Sequence, residues 1–315
     1  MDSEYKGRSV LVTGGAGFIG SHISEKLVAE GAFVTILDNL STGSLRNIEH
    51  FLPHVRFIEG DILDMPSCMQ AAQNASIIFH LAAVTSVPES VAQPQHCYQV
   101  NVMGTLNLLE AARAQGSQRF VFSSSSAVYG MQSAPCKESM ECVPESPYGF
   151  SKLMGEQLCT QYTHNYGIHT VALRYFNVYG SRQNASGSYA AVIARFRDLM
   201  GKNQPITIFG DGLQRRDFIE VSHVAHANLT MALLPMHDMQ GVIMNVASGT
   251  SISLIELVET LRKEFPHFSA GIVFESARKG DVQISEADCS RYYEMTQRIS
   301  RETSLTSSDF FSVSL

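Results

Sequence analysis

Residues 10–22 read VLVTGGAGFIGSH, in which a short apolar run meets a cluster of glycines and then a helical pattern. Gly15, Gly17 and Gly20 fall in a G-x-G-x-x-G frame, with Gly14 directly before it. Glycines at such positions let the backbone turn tightly and let a strand and a helix pack closely. The stretch therefore predicts a strand, a tight turn and a helix, the opening unit of a parallel α/β sheet.

The same alternation continues along the chain to about residue 173. Short β-branched runs predict strands at 9–12, 33–37, 56–58, 77–80, 120–122 and 170–173, and longer amphipathic stretches predict helices at 20–29, 98–113 and 149–162. This pattern indicates an α/β fold with a doubly wound parallel Rossmann sheet over residues 1–177. Residues 178–315 are expected to form mainly a smaller C-terminal substrate domain, with some later segments rejoining the first domain.

An acidic residue follows the second predicted strand. Asp38 lies eighteen residues past Gly20, where a carboxylate can accept hydrogen bonds from ribose hydroxyls. The glycine turn and the start of the first helix suit a pyrophosphate, since the free backbone N–H groups and the helix dipole attract negative charge. A dinucleotide is therefore expected. Asp38 would repel a 2′-phosphate and residues 39–42 contain no arginine to receive one, so the sequence favours NAD over NADP.

A second pattern concerns chemistry. Tyr148 and Lys152 stand four residues apart at the start of a predicted helix, so their side chains share a face. Lowering a phenol pKa from ~10 to ~7 requires about 4 kcal/mol, and a lysine charge ~6 Å away supplies about 3 kcal/mol at an effective dielectric of ~20. The Ser-rich strand end at 123–126 adds a hydroxyl, Ser125, at the carboxyl edge of the sheet, where parallel sheets place ligands. The three residues predict an acid/base centre for dehydrogenation.

Composition limits the partners. The 315 residues are 44% hydrophobic and 17% charged, with a net charge of −7, which disfavours nucleic acid as a partner. No apolar run approaches the ~18 residues of a membrane span. The six cysteines contain no C-x-x-C pair, which is typical of reduced thiols, and a cytoplasmic location is expected. His223 and His226 lack a third ligand, so no metal site is expected.

Short motifs between residues 8 and 290 resemble those of the extended short-chain dehydrogenase/reductase family, and within it the nucleotide-sugar 4-epimerases. They are TGGAGFIGSH, DNLSTG, GDILD, HLAAVTSVPES, SSSSAVYG, YGFSK, RYFNVYG, GDGLQRRDF and ARKGD. The resemblance implies that Tyr148 is the acid/base that exchanges a proton with the sugar C4 hydroxyl, and that Ser125 and Lys152 assist it. Hydride passes to NAD and returns to the opposite face of C4, so the net reaction is 4-epimerisation.

The resemblance also implies ligand contacts. NAD would contact Gly14, Gly17, Phe18, Ile19, Gly20, Asp38, Asn39, Thr42, Gly43, Asp61, Ile62, Leu81, Ala82, Ala83, Ser123, Tyr148, Lys152 and Tyr175. A UDP-sugar would contact Ser86, Ser125, Ser126, Asn177, Ala191, Val192, Thr207, Ile208, Arg216, Arg278, Asp281 and Ser285. Arginines in glycine-rich loops suit a bidentate grip on a diphosphate, which agrees with two of these assignments.

Rival functions stay open. Nucleotide-sugar dehydratases and decarboxylases carry acidic residues after the catalytic Ser or Thr, whereas this chain has Ser126 and Ala127 there. A non-catalytic NAD-binding regulator is a rival of a different class, and the complete set of Ser125, Tyr148 and Lys152 disfavours it.

The substrate is predicted from one position. In similar epimerases the fourth residue after the Asp of R-x-G-D, here Ser285, lies beside the sugar C2 substituent. A small residue there leaves room for an acetamido group, whereas enzymes confined to plain hexoses tend to carry a Tyr. The segment SRQNASGSYAAVIARF also looks like the N-acetylhexosamine version of the uracil loop. UDP-N-acetylglucosamine and UDP-N-acetylgalactosamine are therefore the predicted pair, with UDP-glucose or UDP-glucuronate 4-epimerisation as alternatives.

Two further expectations follow from the resemblance. A homodimer is expected, because family members pair helices near 92–114 and 149–166 into a four-helix bundle. The chain departs from the family at Glu220 and Ser222, and past Asp288 it lacks the usual Gly-aromatic turn and final helix, which leaves the C-terminal packing unpredicted.

Overall fold

The structure is a computed structural model that describes residues 3–184, 192–277 and 282–302. Its strands are β1 (Ser9–Thr13), β2 (Phe33–Asp38), β3 (Val55–Glu59), β4 (Ile77–His80), β5 (Arg119–Ser125), β6 (His169–Tyr175), β7 (Asn177–Tyr179), β8 (Ile206–Phe209), β9 (Arg215–Glu220), β10 (Gln240–Val246), β11 (Ser251–Ser253), β12 (Ile272–Glu275) and β13 (Ile284–Ser285). Its helices are α1 (Phe18–Ala29), α2 (Met65–Ala72), α3 (Val87–Ala92), α4 (Pro94–Tyr98), α5 (Gly104–Gln115), α6 (Pro147–Tyr166), α7 (Val192–Gly201), α8 (Val221–Ala232), α9 (Leu254–Arg262) and α10 (Ser290–Glu302).

The central sheet has seven parallel strands in the order β3-β2-β1-β4-β5-β6-β10. All six predicted strands belong to it, and the structure extends five of them by one to four residues at their ends. The strand order reverses between β1 and β4, which creates the crevice where doubly wound sheets bind ligands. The predicted fold class, an α/β doubly wound parallel sheet, is confirmed.

Helices cover both faces of this sheet. On one face α1 and α8 pack together with buried side chains that include Ile23, Leu27, Val224 and Ala227. On the other face α2, α5 and α6 bury Leu108, among others, against β4 and β5. Burial on both faces explains why the strands read as continuous apolar runs rather than alternating ones. Strand β10, from the later half of the chain, completes the sheet beside β6.

The predicted helix at 98–113 is interrupted. A π-helical turn, Gln99–Met103, joins α4 to α5. Asn101 in this turn is 2% exposed and bonds to the backbone of Val84 and to Ser151. The turn is followed by Gly104, where a Cβ would lie 2.4 Å from Cδ1 of Ile62. The irregular turn thus brings a polar side chain inward, a result that apolar periodicity does not predict.

A smaller set of elements follows the central sheet in sequence. Strand β9 pairs with β7, β11 and β13, and β8 pairs with β12. A separate apolar cluster joins α7, β8 and α9 through Phe196, Ile208 and Leu257. These elements carry the later predicted substrate residues that the structure describes, which are Asn177, Val192, Thr207, Ile208, Arg216 and Ser285. The division of the chain into two domains at residue 177 stays a prediction.

The expectation that the final helix is missing is wrong, because α10 occupies residues 290–302. Tyr292 and Ile299 are 2% and 0% exposed and join the core beneath α8, with Met295 partly buried between them. Their spacing of three and four residues places them on one face of the helix. The apolar stripe therefore forms the helix without the usual preceding turn.

Candidate active site

The glycine turn between β1 and α1 is fitted to a close ligand. Gly14 has a φ of +67°, and a Cβ there would lie 2.8 Å from the backbone nitrogen of Ala82. A Cβ on Gly20 would lie 2.1 Å from the carbonyl oxygen of Gly14. Helix α1 begins without a side-chain cap and with no acidic residue in its first turn. Its first N–H groups are therefore available to a pyrophosphate, so the residues present fit the predicted dinucleotide.

Asp38 lies at the carboxyl end of β2, beside this turn, and is 7% exposed. Its two carboxylate oxygens accept hydrogen bonds from the backbone N–H groups of Ala16, at 2.9 Å, and Leu40, at 2.8 Å. Burial raises the pKa of Asp38 above its usual value, and these two hydrogen bonds oppose the rise. The backbone thereby holds the carboxylate at the rim of the turn. Nearby, Asn39 donates to Asp61 at 2.8 Å, which links the ends of β2 and β3.

We expect NAD(H) to bind at least about tenfold more tightly than NADP(H), a difference of about 1.4 kcal/mol, because Asp38 would repel a 2′-phosphate. Calorimetric titration of the nucleotide-free protein with both cofactors would measure the ratio. Asp38→Asn removes the charge and keeps the shape, so the ratio should shrink in that variant. Tighter binding of NADP(H) to the unaltered chain would contradict the assignment.

The opposite wall of the crevice follows β4. Leu81, Ala82 and Ala83 are half-buried there, next to the glycine turn. Sequence reasoning missed Asn101, whose amide closes this wall by accepting from the N–H of Val84 at 2.8 Å and donating to its carbonyl at 2.9 Å. The sequence offered one signal for Asn101, namely an amide side chain close to the apolar face of the helix predicted at 98–113.

The structure brings Ser125 and Tyr148 together. Ser125 ends β5, and Tyr148 is the second residue of α6, whose first turn is capped by Ser146. Gly149 allows this approach, because a Cβ there would lie 2.5 Å from the carbonyl oxygen of Ala127. The Ser125 hydroxyl oxygen accepts from the N–H of Ala127 at 3.2 Å, and the side chain also hydrogen-bonds to Tyr148. Its proton is therefore available to the phenol oxygen.

Lys152 lies one turn further along α6 and is 3% exposed. Its Nζ donates to the carbonyl of Ser123 at 2.7 Å and lies 5.9 Å from the centre of the Tyr148 ring and 5.1 Å from that of Phe122. The distance from Nζ to the Tyr148 ring centre is close to the ~6 Å assumed above for the lysine charge. Burial lowers the pKa of Lys152 to about 8, so its amine is still mostly protonated at neutral pH.

The phenol itself is not activated by the protein groups alone. Burial raises the pKa of Tyr148 above its usual value, and the hydrogen bond with Ser125 opposes the rise without reversing it. The lowering of the phenol pKa that was predicted from the Lys152 charge makes no contribution in the isolated chain. A tyrosinate at neutral pH requires additional positive charge close to the phenol oxygen.

In the small sheet built around β9, Arg216 and Ser285 are direct partners in the parallel pair of β9 and β13. Asn177, the first residue of β7, donates to the carbonyl of Asp217 at 2.9 Å. The carboxylate of Asp217 is completely buried. Strand β9 thus gathers three predicted substrate residues into one small sheet.

Asp217 also fixes the loops around that sheet. Its carboxylate accepts from the backbone N–H groups of Ser248, Gly249 and Ala287, at 2.8, 3.0 and 3.3 Å, and from the Ser248 hydroxyl at 2.7 Å. The donors come from the segments that follow β10 and β13. Sequence reasoning missed this residue, although it stands directly after Arg216.

The other predicted contacts lie around these two centres. Ser86 caps α3, Ser126 opens the short turn after β5, and Val192 begins α7. Ile208 of β8 is 1% exposed and Thr207 beside it is half-buried, so Ile208 could offer only its backbone to a ligand. Ala191, Arg278 and Asp281 lie outside the described residues.

Tyr175, a predicted cofactor contact, is 5% exposed. Its hydroxyl donates to Asn228 at 2.8 Å, within the core between the sheet and α8. The side chain is thereby held at the carboxyl end of β6.

In the described ranges, which leave out residues 185–191 and 278–281, no three His, Cys, Asp or Glu side chains converge as a metal site would require. None of the helices there has the length and apolar character needed to span a bilayer.

A family model described as "NAD dependent epimerase/dehydratase family" matches residues 10–247, which include the glycine turn, Ser125, Tyr148 and Lys152. The chain belongs to this family.

Individual relatives agree. The chain is 36% identical to a UDP-glucose 4-epimerase of Erwinia amylovora, over 93% of this chain and 94% of the relative. It is similar to the structure of a UDP-N-acetylglucosamine 4-epimerase from Methanobrevibacter ruminantium in complex with UDP-N-acetylmuramic acid, with a TM-score of 0.87, 37% identity and 92% of each chain covered. A Thermus thermophilus UDP-glucose 4-epimerase in complex with NAD aligns with a TM-score of 0.82 and 34% identity, over 91% of this chain and 92% of that one.

The predicted class of enzyme, an NAD-dependent nucleotide-sugar 4-epimerase, is thereby confirmed, and NAD is the cofactor. Its relatives include proteins named for UDP-glucose and for UDP-N-acetylglucosamine. The family therefore does not decide the sugar.

Proposed function

We propose that this epimerase interconverts UDP-N-acetylglucosamine and UDP-N-acetylgalactosamine, with UDP-glucose and UDP-galactose as weaker substrates. The observation that carries the proposal is the pairing of Ser285 with Arg216 on neighbouring strands. Adjacent strands lie about 4.8 Å apart, so a diphosphate held by Arg216 has the side chain of Ser285 within reach of the attached sugar. A hydroxymethyl group leaves space there that a phenol ring would fill.

The proton steps follow from the first centre. Tyr148, as a phenolate, takes the proton of the sugar C4 hydroxyl as the C4 hydrogen leaves as hydride, which gives a 4-keto sugar. The Ser125 hydroxyl, which hydrogen-bonds to Tyr148, favours the phenolate form that accepts this proton. Lys152 stays charged beside the ring and favours the phenolate. When the hydride returns, Tyr148 gives its proton back to O4, so protons balance over the cycle.

The glycine turn, Asp38 and the segment after β4 would hold NAD, which would supply the hydride acceptor and, in its oxidised form, positive charge. Arg216 and Asn177 hold the nucleotide end while the keto sugar turns to present its other face. Asp217 keeps their strand fixed through its four hydrogen bonds. Inversion at C4 therefore requires a rigid anchor and a mobile sugar, and the small residue at 285 leaves the sugar room to turn.

Ser285→Tyr is expected to lower turnover of UDP-N-acetylgalactosamine at least about a hundredfold and to spare or improve that of UDP-galactose, because the ring fills the space of the acetamido group. Proton NMR of products from a panel of UDP-hexoses would measure both rates. Ser269→Tyr, on an exposed loop of the same part of the chain, is the control for added bulk. Conversion of UDP-galactose but not UDP-N-acetylgalactosamine by the unaltered enzyme would refute the proposed substrate and leave UDP-glucose 4-epimerisation.

We also propose a homodimer and a cytoplasmic location. The segments expected to pair expose large apolar side chains, including Met103 and Phe150, which are 48% and 47% exposed. Such side chains on neighbouring helical segments suit a second copy of the chain. All six cysteines are free thiols, which agrees with a reducing compartment.

A further inference from the structure

A line of buried hydrogen bonds crosses the molecule behind the active site. It joins Thr13 at the end of β1, His80 at the end of β4, Thr105 in α5, Asn101 in the π-helical turn and Ser151 in α6, here called the His80 network. All five residues are buried, and each is at most 2% exposed. His80 is central, with Nδ1 2.7 Å from the Thr13 hydroxyl oxygen and Nε2 2.9 Å from that of Thr105.

The direction of each bond is fixed by its neighbours. The Thr105 hydroxyl donates to the carbonyl of Asn101 at 2.6 Å, so it can only accept from Nε2–H of His80. Burial lowers the pKa of His80 to about 3, so the ring is neutral and its Nδ1 accepts from Thr13. His80 therefore exists as one tautomer. The rings of Phe120 and Phe122, with centres 5.7 and 5.8 Å away, pack against it.

The ends of the His80 network reach two functional segments. At one end, Thr13 accepts from the N–H of Ala82, the residue that a Cβ on Gly14 would strike. At the other end, the Asn101 amide donates to Ser151 at 2.9 Å, and Ser151 donates to the backbone carbonyl of Tyr148 at 2.7 Å. The wall of the cofactor crevice is thus connected to the backbone of the tyrosine.

We propose that His80 is a positioning residue that fixes the phenol of Tyr148 relative to the cofactor wall. The proposal rests on the acid/base role of Tyr148 given above. A rigid ring that bridges two hydroxyls at opposite nitrogens holds β1, β4 and α5 at set distances, and the amide of Asn101 extends that constraint to α6. Loss of a bridge lets the start of α6 shift, which weakens the hydrogen bond between Ser125 and Tyr148. Since that bond lowers the phenol pKa, its loss changes the pH dependence of turnover as well as its rate.

The test compares Thr105→Val, which removes the hydroxyl at nearly constant shape, with Thr105→Ser, which keeps it. In the purified holoenzyme we expect Thr105→Val to lower kcat per bound NAD about tenfold with KM within about twofold, and to raise the pKa of the acidic limb of kcat. Thr105→Ser should keep kcat per bound NAD and the pKa of the acidic limb close to those of the unaltered enzyme. Thr160→Val is the matched control, because Thr160 makes the same hydroxyl bond to the carbonyl four residues earlier, in α6, outside the network.

The outcomes separate positioning from simple stability. A purely structural role lowers the melting temperature but leaves kcat per bound NAD and the acidic limb unchanged, and that result would overturn the proposal. If Thr105→Val does not fold, His80→Gln keeps a donor towards Thr105 and gives the same two readings. Near-normal activity of Tyr148→Phe would reject the role of Tyr148 itself. An inactive Tyr148→Phe beside a fully active Thr105→Val would reject only the positioning role.

Discussion

Tyr148→Phe is expected to lower turnover at least about a hundredfold, while the fold and the bound NAD are kept. The substitution removes one oxygen from a half-buried ring at the start of α6 and leaves the ring, Lys152 and the glycine turn in place. Without the phenol oxygen, the C4 hydroxyl has no group to take its proton as hydride leaves. Ser125 cannot replace it, because a serine hydroxyl is a much weaker acid and already accepts from the N–H of Ala127.

The measurement is the rate of product formation per bound NAD, with the melting temperature and the NAD content of the same preparation. Tyr166→Phe is the matched control, since Tyr166 ends the same helix and is 51% exposed. We expect that variant to keep full turnover. If Tyr148→Phe retains near-normal activity, the phenol is not the acid/base and the proposed mechanism fails.

Ser125, Tyr148, Lys152 and the glycines of the turn could be predicted because each lies at a recognisable position in a local sequence pattern. Ser125 ends an apolar run, the glycines of the turn follow another, and Tyr148 and Lys152 share a helix face at a spacing of four. In a parallel sheet the carboxyl ends of strands meet at one edge, so local marks become a shared site. The structure adds the contacts that sequence spacing does not contain, such as the approach of Gly149 to Ala127.

The supporting residues could not be predicted in the same way. His80, Asn101 and Asp217 are polar groups within or beside apolar stretches. Apart from Cys97, which bonds to Asn101, their side-chain partners lie 17 to 70 positions away. A buried polar side chain is stable only when those distant partners are in place, and apolar periodicity says nothing about them. Helix α10 is the converse case, because its apolar stripe is visible in the sequence. The missing family turn before it led to the wrong expectation that the helix is absent.

Glu156 and Arg174 illustrate the same limit most strongly. Glu156 lies one turn after Lys152 in α6, Arg174 lies in β6, and they are 1% and 3% exposed at their side chains. Two hydrogen bonds, at 2.8 and 2.7 Å, join the guanidinium to the carboxylate. Ser124 donates to the same carboxylate at 2.5 Å, and the guanidinium stacks over Tyr129. Burial lowers the pKa of Arg174, but the hydrogen bonds and charge of Glu156 outweigh it and raise that pKa above its usual value, so the guanidinium remains charged.

Glu156→Gln is expected to lower the free energy of unfolding by about 3 to 5 kcal/mol, because it leaves the Arg174 charge buried without a counter-charge. Urea denaturation of the purified protein would measure the loss. Glu264→Gln removes one partner of the exposed pair with Arg197, whose side chains are 45% and 39% exposed, and should cost no more than about 1 kcal/mol.

Replacing both members by apolar residues separates the buried charge from the packing. The double variant Glu156→Leu with Arg174→Met should recover more than half of the loss, since no isolated charge is left inside. Ser124 then lacks its acceptor, which keeps the recovery incomplete. A loss for Glu156→Gln no larger than that for Glu264→Gln would mean that water or another group compensates Arg174. If the double variant is as unstable as Glu156→Gln, the attraction between Glu156 and Arg174 itself stabilises the packing of α6 on the sheet, and apolar side chains do not replace it.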